Sequence, residues 1–502
     1  FAPPRGVGLT RASDLPGHSP APVDKTVEAW RAQVAYIMAA MDLTPAEKAA
    51  GVAIVERRRN TFAWDLLAGQ PHIKTSVRTS TTLKPGAVPF IAPDRAKSPE
   101  TLAALRATIA TWLGANVIKE VDPDFPRYVS AIFPVRRKDG RPRFVLDAQG
   151  VNADSVEAGR VHMDARASAE KFWEIVADGT GAGFPPFVKV DVVAAFNRVA
   201  LDEDTQRLFC FRVRDEAGLM RTYAFTTLVM GALNSPYYLT RVMTEALAKV
   251  PRAVVYMDDV LTTGLDNFEK LLACCEEHNI TIKPNAEMLA RTVTFCGHVL
   301  CPRGITTSPA KDVETLDAGA VRTALDVGRM LWFLGWSAAY MPRVKELLAP
   351  LEDFVQRAAA RVGGTKAALL RRLPLAADGD PAWTRALADR LHTAVEMFTH
   401  RMVLAFPQPG KPIYVFTDAS AKAWGAVAVQ ECPPGVRSEA EERSQRELLT
   451  RTLLETGNTP EGTKTLVEKL PDMGKMAAIA VLSGWWKGPE RNYSTVDKEL
   501  TA

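Results

Sequence analysis

Three aspartates stand where apolar strands are expected to end, and they are the residues in this sequence best suited to phosphoryl chemistry. Asp258 and Asp259 close the tetrapeptide Tyr-Met-Asp-Asp at positions 256–259, inside an apolar stretch. Neighbouring side chains of a strand point to opposite faces, so adjacent carboxylates here indicate a tight hairpin turn. Asp191 ends a second, β-branched run at 187–190. The pattern predicts two strands that present three carboxylates at one site.

Carboxylates arranged in this way suit divalent cations. Mg²⁺ takes one or two carboxylates per ion and completes its shell with water and substrate phosphates. Two ions about 4 Å apart would stabilise the attacking and leaving oxygens of an in-line phosphoryl transfer. We therefore expect two Mg²⁺ ions, with Mn²⁺ as an alternative, at Asp191, Asp258 and Asp259. An isolated Asp pair is more often an ordinary turn, so this interpretation depends on the motifs around it.

Those motifs follow one another in an order that resembles the reverse transcriptases of gypsy-class long-terminal-repeat retrotransposons, from about residue 75 to the C-terminus. The resemblance implies an α+β right-hand polymerase with fingers, palm and thumb or connection, followed by a truncated ribonuclease H-like α/β domain. We expect four parts: an N-terminal extension of a Pro/Gly arm and helices, then fingers and palm, a helical thumb or connection, and a partial ribonuclease H-like domain, at 1–70, 71–302, 303–410 and 411–502.

The stretch 130–145 indicates strand, turn and strand, with Asp-Gly at 139–140 as the hairpin signal. It resembles the fingers hairpin of the family, which implies by position that Arg137 and Arg143 contact the triphosphate of an incoming nucleotide. Arginine suits that role because its planar fork pairs phosphate oxygens bidentately. A solvated basic hairpin is the alternative. The next residues, 146–152, replace the family's usual Asp-Tyr-Arg-x-Leu-Asn and end in the same Asn.

The motif that contains Asp191 supplies two further candidates by resemblance. The backbone carbonyl of Val192 is the expected additional metal ligand. Phe196 stands where the family places an aromatic ring beneath the sugar. A ring there would clash with the ribose 2′-hydroxyl, the group by which proteins distinguish ribonucleotides from deoxyribonucleotides. Ordinary core packing is the alternative for Phe196.

Residues 223–236 resemble another family motif, a strand and a Gly turn that lead into a helix. Gly231 would allow close approach of the backbone to a base pair or template, and Met230 would line the nucleotide pocket. Val229 and Met230 replace the family's usual Pro-Phe. The scaffold is therefore expected to match the family, while the pocket is expected to differ in shape.

Downstream of the Asp pair, a helical stretch at 268–275 leads to Lys283, a candidate proton donor to the leaving pyrophosphate. The family's more usual lysine position corresponds to Ala286. The segment Phe-Cys-Gly-His then resembles the primer-grip hairpin, with Gly297 and His298 as its primer-contacting residues.

A second catalytic motif begins at an apolar strand that ends in Asp418 and resembles the first hairpin of a ribonuclease H domain. By the same resemblance Glu499 is the second metal ligand. The chain ends at Ala502, before the family's remaining acidic ligands, so we expect no ribonuclease H activity unless a second polypeptide completes the domain. The charged insertion 433–475 would pack against such a partner.

Composition agrees with a large enzyme and adds little. The net charge of +4 over 502 residues permits nucleic-acid binding without proving it. Six cysteines do not make a disulfide framework and indicate a reducing, intracellular compartment, either the cytoplasm or a retroelement particle, with nucleus and organelle left open. No run reaches the about 20 apolar residues of a membrane span, so no membrane partner is expected. The missing initiator Met indicates a fragment, a piece of a processed polyprotein or an incompletely assigned sequence.

The resulting hypothesis is a nucleotidyltransferase that adds deoxynucleoside triphosphates to the 3′-hydroxyl of a DNA primer on an RNA or DNA template. The alternative is a domesticated, non-catalytic subunit of a larger nucleic-acid or ribonucleoprotein assembly. The altered Val229-Met230 pair and the shortened nuclease favour the alternative. The three aspartates and Phe196 oppose it, because a scaffold has no evident use for converging acids.

Overall fold

The computed structural model describes residues 34–38, 41–63, 66, 68–93, 97–136, 142–159, 161, 172–176, 184–285, 287–307, 321–341, 344–361, 383–399, 401–419, 423–431 and 476–485. They form two compact units. The described residues of the first unit lie within 10–162 and 185–291, and those of the second lie within 163–184 and after 291.

Two capped helices begin the first unit, α1 (Pro45–Arg57) and α2 (Pro99–Gly114). Thr44 caps α1 through a capping box, in which its hydroxyl accepts the Glu47 N–H and the Glu47 carboxylate accepts the Thr44 N–H. A Thr followed three residues later by Glu is the sequence pattern of this box. Arg57 and Arg58, at the end of α1, bind glutamates 269 and 276 of a later helix. These two basic side chains are therefore engaged in ion pairs within the unit.

Among the described residues, the first unit continues with six short strands, four helices and a β-hairpin that carries the Tyr-Met-Asp-Asp turn. In chain order these elements are β1 (Ile118–Glu120), β2 (Ile132–Arg136), β3 (Pro142–Leu146), α3 (Gln149–Asp154), β4 (Phe187–Asp191), α4 (Glu203–Gln206), β5 (Cys210–Arg214), β6 (Met220–Phe225), α5 (Ser235–Ala246), β7 (Val254–Tyr256), β8 (Asp259–Thr263) and α6 (Leu265–Glu277). The strands pair antiparallel as β1-β6-β5, β2-β3 and β4-β8-β7.

The sheet β4-β8-β7 lies in the main core of this unit. Val188 and Val190 of β4 are fully buried, as is Val260 of β8. Helix α6 buries Phe268, Leu271, Leu272 and Cys275 at the i, i+3, i+4 and i+7 positions of an amphipathic helix. A rigid apolar layer of this kind holds the strand ends that carry the aspartates.

Two of the supersecondary predictions are confirmed in this part of the first unit. Strands β2 and β3 pair antiparallel as the predicted fingers hairpin, from Ile132 opposite Leu146 to Arg136 opposite Pro142. The turn between them, with Arg137, lies outside the described residues. Strand β6, a turn at Gly231 and helix α5 form the predicted strand, turn and helix.

The second unit contains two small sheets and three longer helices. Its elements are β9 (Val293–Phe295), β10 (His298–Cys301), β11 (Gly304–Thr307), α7 (Ala324–Trp336), α8 (Val344–Arg361), α9 (Arg385–Thr399), β12 (Tyr414–Ala419), β13 (Ala423–Glu431) and β14 (Met476–Trp485). The strands pair as β11-β10-β9 and β12-β13-β14. The helices share one apolar core that includes Leu334, Leu351 and Phe398.

The aromatic residues in and just after α7 differ in how far they are buried. Tyr340, just after the helix, is 1% exposed, whereas Trp332 is 76% exposed. Its position on the outer face of an amphipathic helix explains the difference, because only one stripe of such a helix meets the core. Within the part of the chain that the structure describes, no helix is both long and apolar enough to cross a membrane.

The hairpin predicted at the start of the ribonuclease H-like region is confirmed as β12 and β13, and the backbone of Asp418 pairs with Gly425. Strand β14 adds to the other edge of β13. Glu499 and the insertion 433–475 lie outside the described residues.

Candidate active site

The register of the central sheet brings two of the three aspartates together. Strands β4 and β8 run antiparallel, with Asp191 directly opposite Asp259. Opposed residues of an antiparallel pair have Cβ atoms about 5 Å apart, so the two side chains are neighbours. Tyr256 pairs with Asp259 across β7 and β8, which leaves Met257 and Asp258 as a two-residue turn. The predicted hairpin at this tetrapeptide is confirmed.

The turn is held by backbone bonds and carries local strain. Met257 has φ of 54°, a left-handed conformation that is uncommon outside Gly, Asn and Asp. The Val192 N–H donates to the Asp258 carbonyl at 3.0 Å, which ties the turn to the end of β4. A strained backbone persists where the surroundings determine it, and such positions cluster at functional sites.

A second segment lies along the end of β4. The Lys283 N–H donates to the Asp191 carbonyl at 2.9 Å, and the Val193 N–H donates to the Thr281 carbonyl at 2.8 Å. The exposed side chain of Lys283 is near enough to lower the pKa of Asp191. The structure therefore places Lys283 beside Asp191. Ala286, the alternative lysine position, lies outside the described residues.

Burial and mutual repulsion raise the pKa of two of the carboxyls. For Asp191, burial is the larger cause and the negative charge of Asp258 adds to it, while Lys283 and Lys189 oppose the rise. For Asp259, burial raises the pKa to about 6. Lys189 again opposes the rise, and Asp258 and Asp191 add to it. The site therefore concentrates negative charge in a partly dehydrated position.

Lys189 is a residue of this site that the sequence reasoning missed. Its ammonium is 2.6 Å from the Glu287 carboxylate, and its side chain is mostly buried. Lys189 lies two residues before Asp191, so both point to the same face of β4. That spacing was readable in the sequence, whereas the partner Glu287 was not, because it comes from a segment about 100 residues away.

Two observations bear on whether these carboxylates can hold a metal ion. Within the ranges that the structure describes, no three or more His, Cys, Asp and Glu side chains are spaced to hold one ion together. The three aspartates come from a strand end, a turn and a strand start. The set still fits Mg²⁺, which takes few carboxylates per ion and relies on substrate phosphates. A cation would also relieve the repulsion between these acids.

A second cluster joins the fingers hairpin to the Gly turn. The Arg143 guanidinium lies against the Met230 sulfur, which brings two predicted nucleotide-binding residues together. Asn152 fixes the turn that follows, since its amide donates to the Gly231 carbonyl at 2.9 Å and accepts the Leu233 N–H at 2.8 Å. Gly231 has φ of 91° and is exposed. Asn152 was not predicted as a site residue, although it is the retained Asn of the preceding motif.

Phe196 lies in a short 3₁₀ turn, Ala195–Arg198, that begins after Ala194 at φ of 47°. Its ring is partly buried and packs against the core of the first unit. This placement agrees with both interpretations of the residue, a ring beneath the sugar and a core side chain.

The predicted primer-grip residues belong to the second unit. Cys296 and Gly297 form the two-residue turn between β9 and β10, with φ of 48° and 82°, as expected of a type I′ hairpin. His298 is 1% exposed, and its Nδ1 is 2.7 Å from the Tyr340 hydroxyl. Burial lowers the pKa of His298 to about 4. Its ring therefore supports the hairpin from inside, and only Gly297 is exposed.

Comparisons with known proteins place this site in context. Residues 168–300 match the family model described as "Reverse transcriptase (RNA-dependent DNA polymerase)". The Gag-Pol polyprotein of Walleye dermal sarcoma virus is 23% identical over 49% of this chain and 13% of its own length. The Pol polyproteins of the Drosophila melanogaster transposons opus and gypsy are 20% and 23% identical over 63% and 60% of this chain.

Solved structures show the same fold. The foamy viral protease-reverse transcriptase in complex with double-stranded DNA has a TM-score of 0.66 at 17% identity, over 97% of this chain and 74% of that one. Its complex with an RNA/DNA hybrid has a TM-score of 0.65 over 97% and 57%. The chain thus has the fold of right-hand polymerases, with mixed helices and sheets. It spans 13% to 27% of the length of the first two polyproteins that it matches.

Proposed function

We propose that this protein is an RNA- and DNA-directed DNA polymerase of a retroelement. The observation that carries the proposal is the pairing of Asp191 with Asp259 beside the Tyr-Met-Asp-Asp turn, within a fold shared with the foamy viral enzymes. The reaction is attack of a primer 3′-hydroxyl on the α-phosphate of a deoxynucleoside triphosphate, with pyrophosphate as the leaving group.

Two Mg²⁺ ions, or Mn²⁺ in their place, would be held by Asp191, Asp258 and Asp259, with the Val192 carbonyl as a further ligand. When bound, such ions stabilise the attacking and leaving oxygens. The protein contributes mainly position and charge, because phosphoryl transfer needs little covalent chemistry from side chains. Lys189 holds positive charge close to the acids and limits the rise of their pKa values.

The residues around the acids bind and select the nucleotide. Arg143, with Arg137 of the same hairpin, would pair with the triphosphate oxygens. The contact between Arg143 and Met230 supports a common binding surface for the triphosphate and the base. Phe196 would exclude the ribose 2′-hydroxyl, and Lys283 would protonate the pyrophosphate.

The substrates of the polymerase are a template of RNA or DNA and a DNA primer. The supporting observation is that the foamy viral relatives of the same fold were solved with double-stranded DNA and with an RNA/DNA hybrid. Gly297 of the β9–β10 hairpin would contact the primer. In the region that resembles a ribonuclease H hairpin, Asp418 and Glu499 would bind metal.

A stable ternary complex tests the proposal before any chemistry. A primer with a dideoxy end on an RNA template, Mg²⁺ and the next complementary nucleotide should give a complex that resists a heparin challenge. A non-complementary nucleotide should not, because only a templated pair fills the site. Asp258→Asn is the control and should lose the nucleotide-dependent resistance. Equal resistance with all four nucleotides would argue for a nucleic-acid-binding subunit without a polymerase site.

A further inference from the structure

A buried arginine next to the proposed active site has no role in the chemistry described so far. Arg198 is 2% exposed. Among the residues that the structure describes, it is the largest fully buried side chain. It ends the 3₁₀ turn Ala195–Arg198, which carries Phe196. Burial lowers the pKa of Arg198 to about 10, so the guanidinium still carries its charge at neutral pH.

The described acceptors of this guanidinium are all neutral. Its Nη1 donates to the Thr281 hydroxyl at 3.1 Å, and its Nη2 donates to the carbonyls of Pro71 and Asn279, each at 2.7 Å. The Arg198 carbonyl also accepts the Ile73 N–H at 2.7 Å. Three stretches of chain that are distant in sequence therefore meet at one side chain.

A burial of this kind is costly, because a charge removed from water needs its hydrogen bonds replaced. Only the planar fork of arginine reaches three acceptors in fixed directions, and a lysine ammonium on a flexible stem does not reproduce it. The arrangement therefore favours a residue that fixes geometry over one that merely fills space.

The fixed segment is the one that lies along the aspartates. Thr281, held by Arg198, accepts the Val193 N–H through its carbonyl, and two residues later Lys283 bonds the Asp191 carbonyl. The loop from Asp191 to Arg198 is thus held at its start by the backbone and at its end by the arginine. Phe196 lies between these two points.

We propose that Arg198 is a positioning residue that fixes the Phe196 ring and thereby sets the discrimination between deoxyribonucleotides and ribonucleotides. The inference rests on the proposed polymerase function. Arg198 touches neither nucleotide nor metal in this scheme and acts only through the loop that it holds.

The test compares Arg198→Lys with Arg212→Lys. Arg212, on β5 of the same unit, donates to a backbone carbonyl as Arg198 does, in this case that of Pro123 at 3.2 Å. In the described structure the Nε atoms of both arginines are buried and have no hydrogen-bond partner. Steady-state kcat/KM is measured for one deoxyribonucleotide and its ribonucleotide. We expect the ratio of the two to fall about tenfold in Arg198→Lys, the factor given by 1.4 kcal/mol, and to stay unchanged in Arg212→Lys.

A double-mutant cycle with Phe196→Ala separates positioning from general damage. If Arg198 acts through the Phe196 ring, Arg198→Lys should have no further effect on the ratio once the ring is gone. If Arg198→Lys lowers kcat/KM by the same factor for the deoxyribonucleotide and the ribonucleotide, the proposal is overturned. Such a result is expected of a residue with a merely structural role.

Should Arg198→Lys not fold, Thr281→Val removes one acceptor and keeps the shape of the side chain. It should lower the selectivity ratio about threefold, less than the full effect because two acceptors remain. An unchanged ratio in that variant would overturn the proposal. Inactivity of the wild-type protein would refute the polymerase function, whereas an active wild type with unaltered selectivity in these variants refutes only the role of Arg198.

Discussion

The electrostatics of the aspartates predict that one of them destabilises the metal-free fold. Burial raises the pKa of Asp259 from 3.8 to about 6, so the folded protein holds its proton more tightly than the unfolded chain. Relative to the charged form, the protonated carboxyl of Asp259 stabilises the fold. This stabilisation is complete below about pH 4 and is lost as the pH rises through 6. The shift corresponds to about 3 kcal/mol. Because the carboxyl is partly exposed, solvent screening reduces this figure, and we expect about 1–2 kcal/mol.

Asp259→Asn removes that cost, because the amide has no charge to bury. In EDTA at pH 8, the free energy of unfolding from urea titration should therefore be higher for the variant than for the wild type by this amount. The difference should shrink towards pH 4, where the wild-type carboxyl is protonated. Asp124→Asn, at an exposed position, is the control and should show neither effect.

Mg²⁺ should reverse the order of stability. An ion that binds only the folded state raises the free energy of unfolding by RT ln(1 + [L]/Kd), and Asp259→Asn loses a ligand. The wild type should gain stability with added Mg²⁺, and the variant should gain little. A variant that is less stable than wild type in EDTA at pH 8, or a difference that does not change with pH, would refute the reasoning.

Two further predictions concern residues that support the site. Asn152→Ala frees the Gly231 turn, so we expect KM for the nucleotide to rise about tenfold with a smaller change in kcat; steady-state kinetics measure this, and an equal loss in both nucleotide and template binding would contradict it. His298→Ala removes the bond to the buried Tyr340 hydroxyl and should lower the free energy of unfolding by about 2 kcal/mol. Unaltered thermal unfolding in that variant would show that the bond contributes nothing.

The sequence predicted those parts of the fold that depend on neighbouring residues. The Tyr-Met-Asp-Asp turn, the β2–β3 hairpin and the Thr44 cap each follow from a short pattern of strand formers, turn residues or capping side chains. The sequence also predicted that two strands bring Asp191 and the Asp pair to one site, but it did not show the register that sets Asp191 opposite Asp259.

Contacts between distant segments could not be predicted in this way. Nothing local in the sequence shows that Lys189 pairs with Glu287 or that Arg198 reaches Pro71, since tertiary packing decides both. The exposed fraction of a side chain could not be predicted either, because it depends on the same contacts between distant segments. His298 was predicted to contact a primer, yet its ring faces Tyr340 inside the second unit.

Primer extension tests the central claim most directly. The wild-type protein is incubated with a primed RNA template, deoxynucleoside triphosphates and Mg²⁺, beside the Asp258→Asn/Asp259→Asn double variant as a control. We expect templated extension by the wild type and none by the variant, which should still bind the primed template. No extension by the wild type with either Mg²⁺ or Mn²⁺, on RNA and DNA templates alike, would contradict the polymerase function and favour a structural subunit.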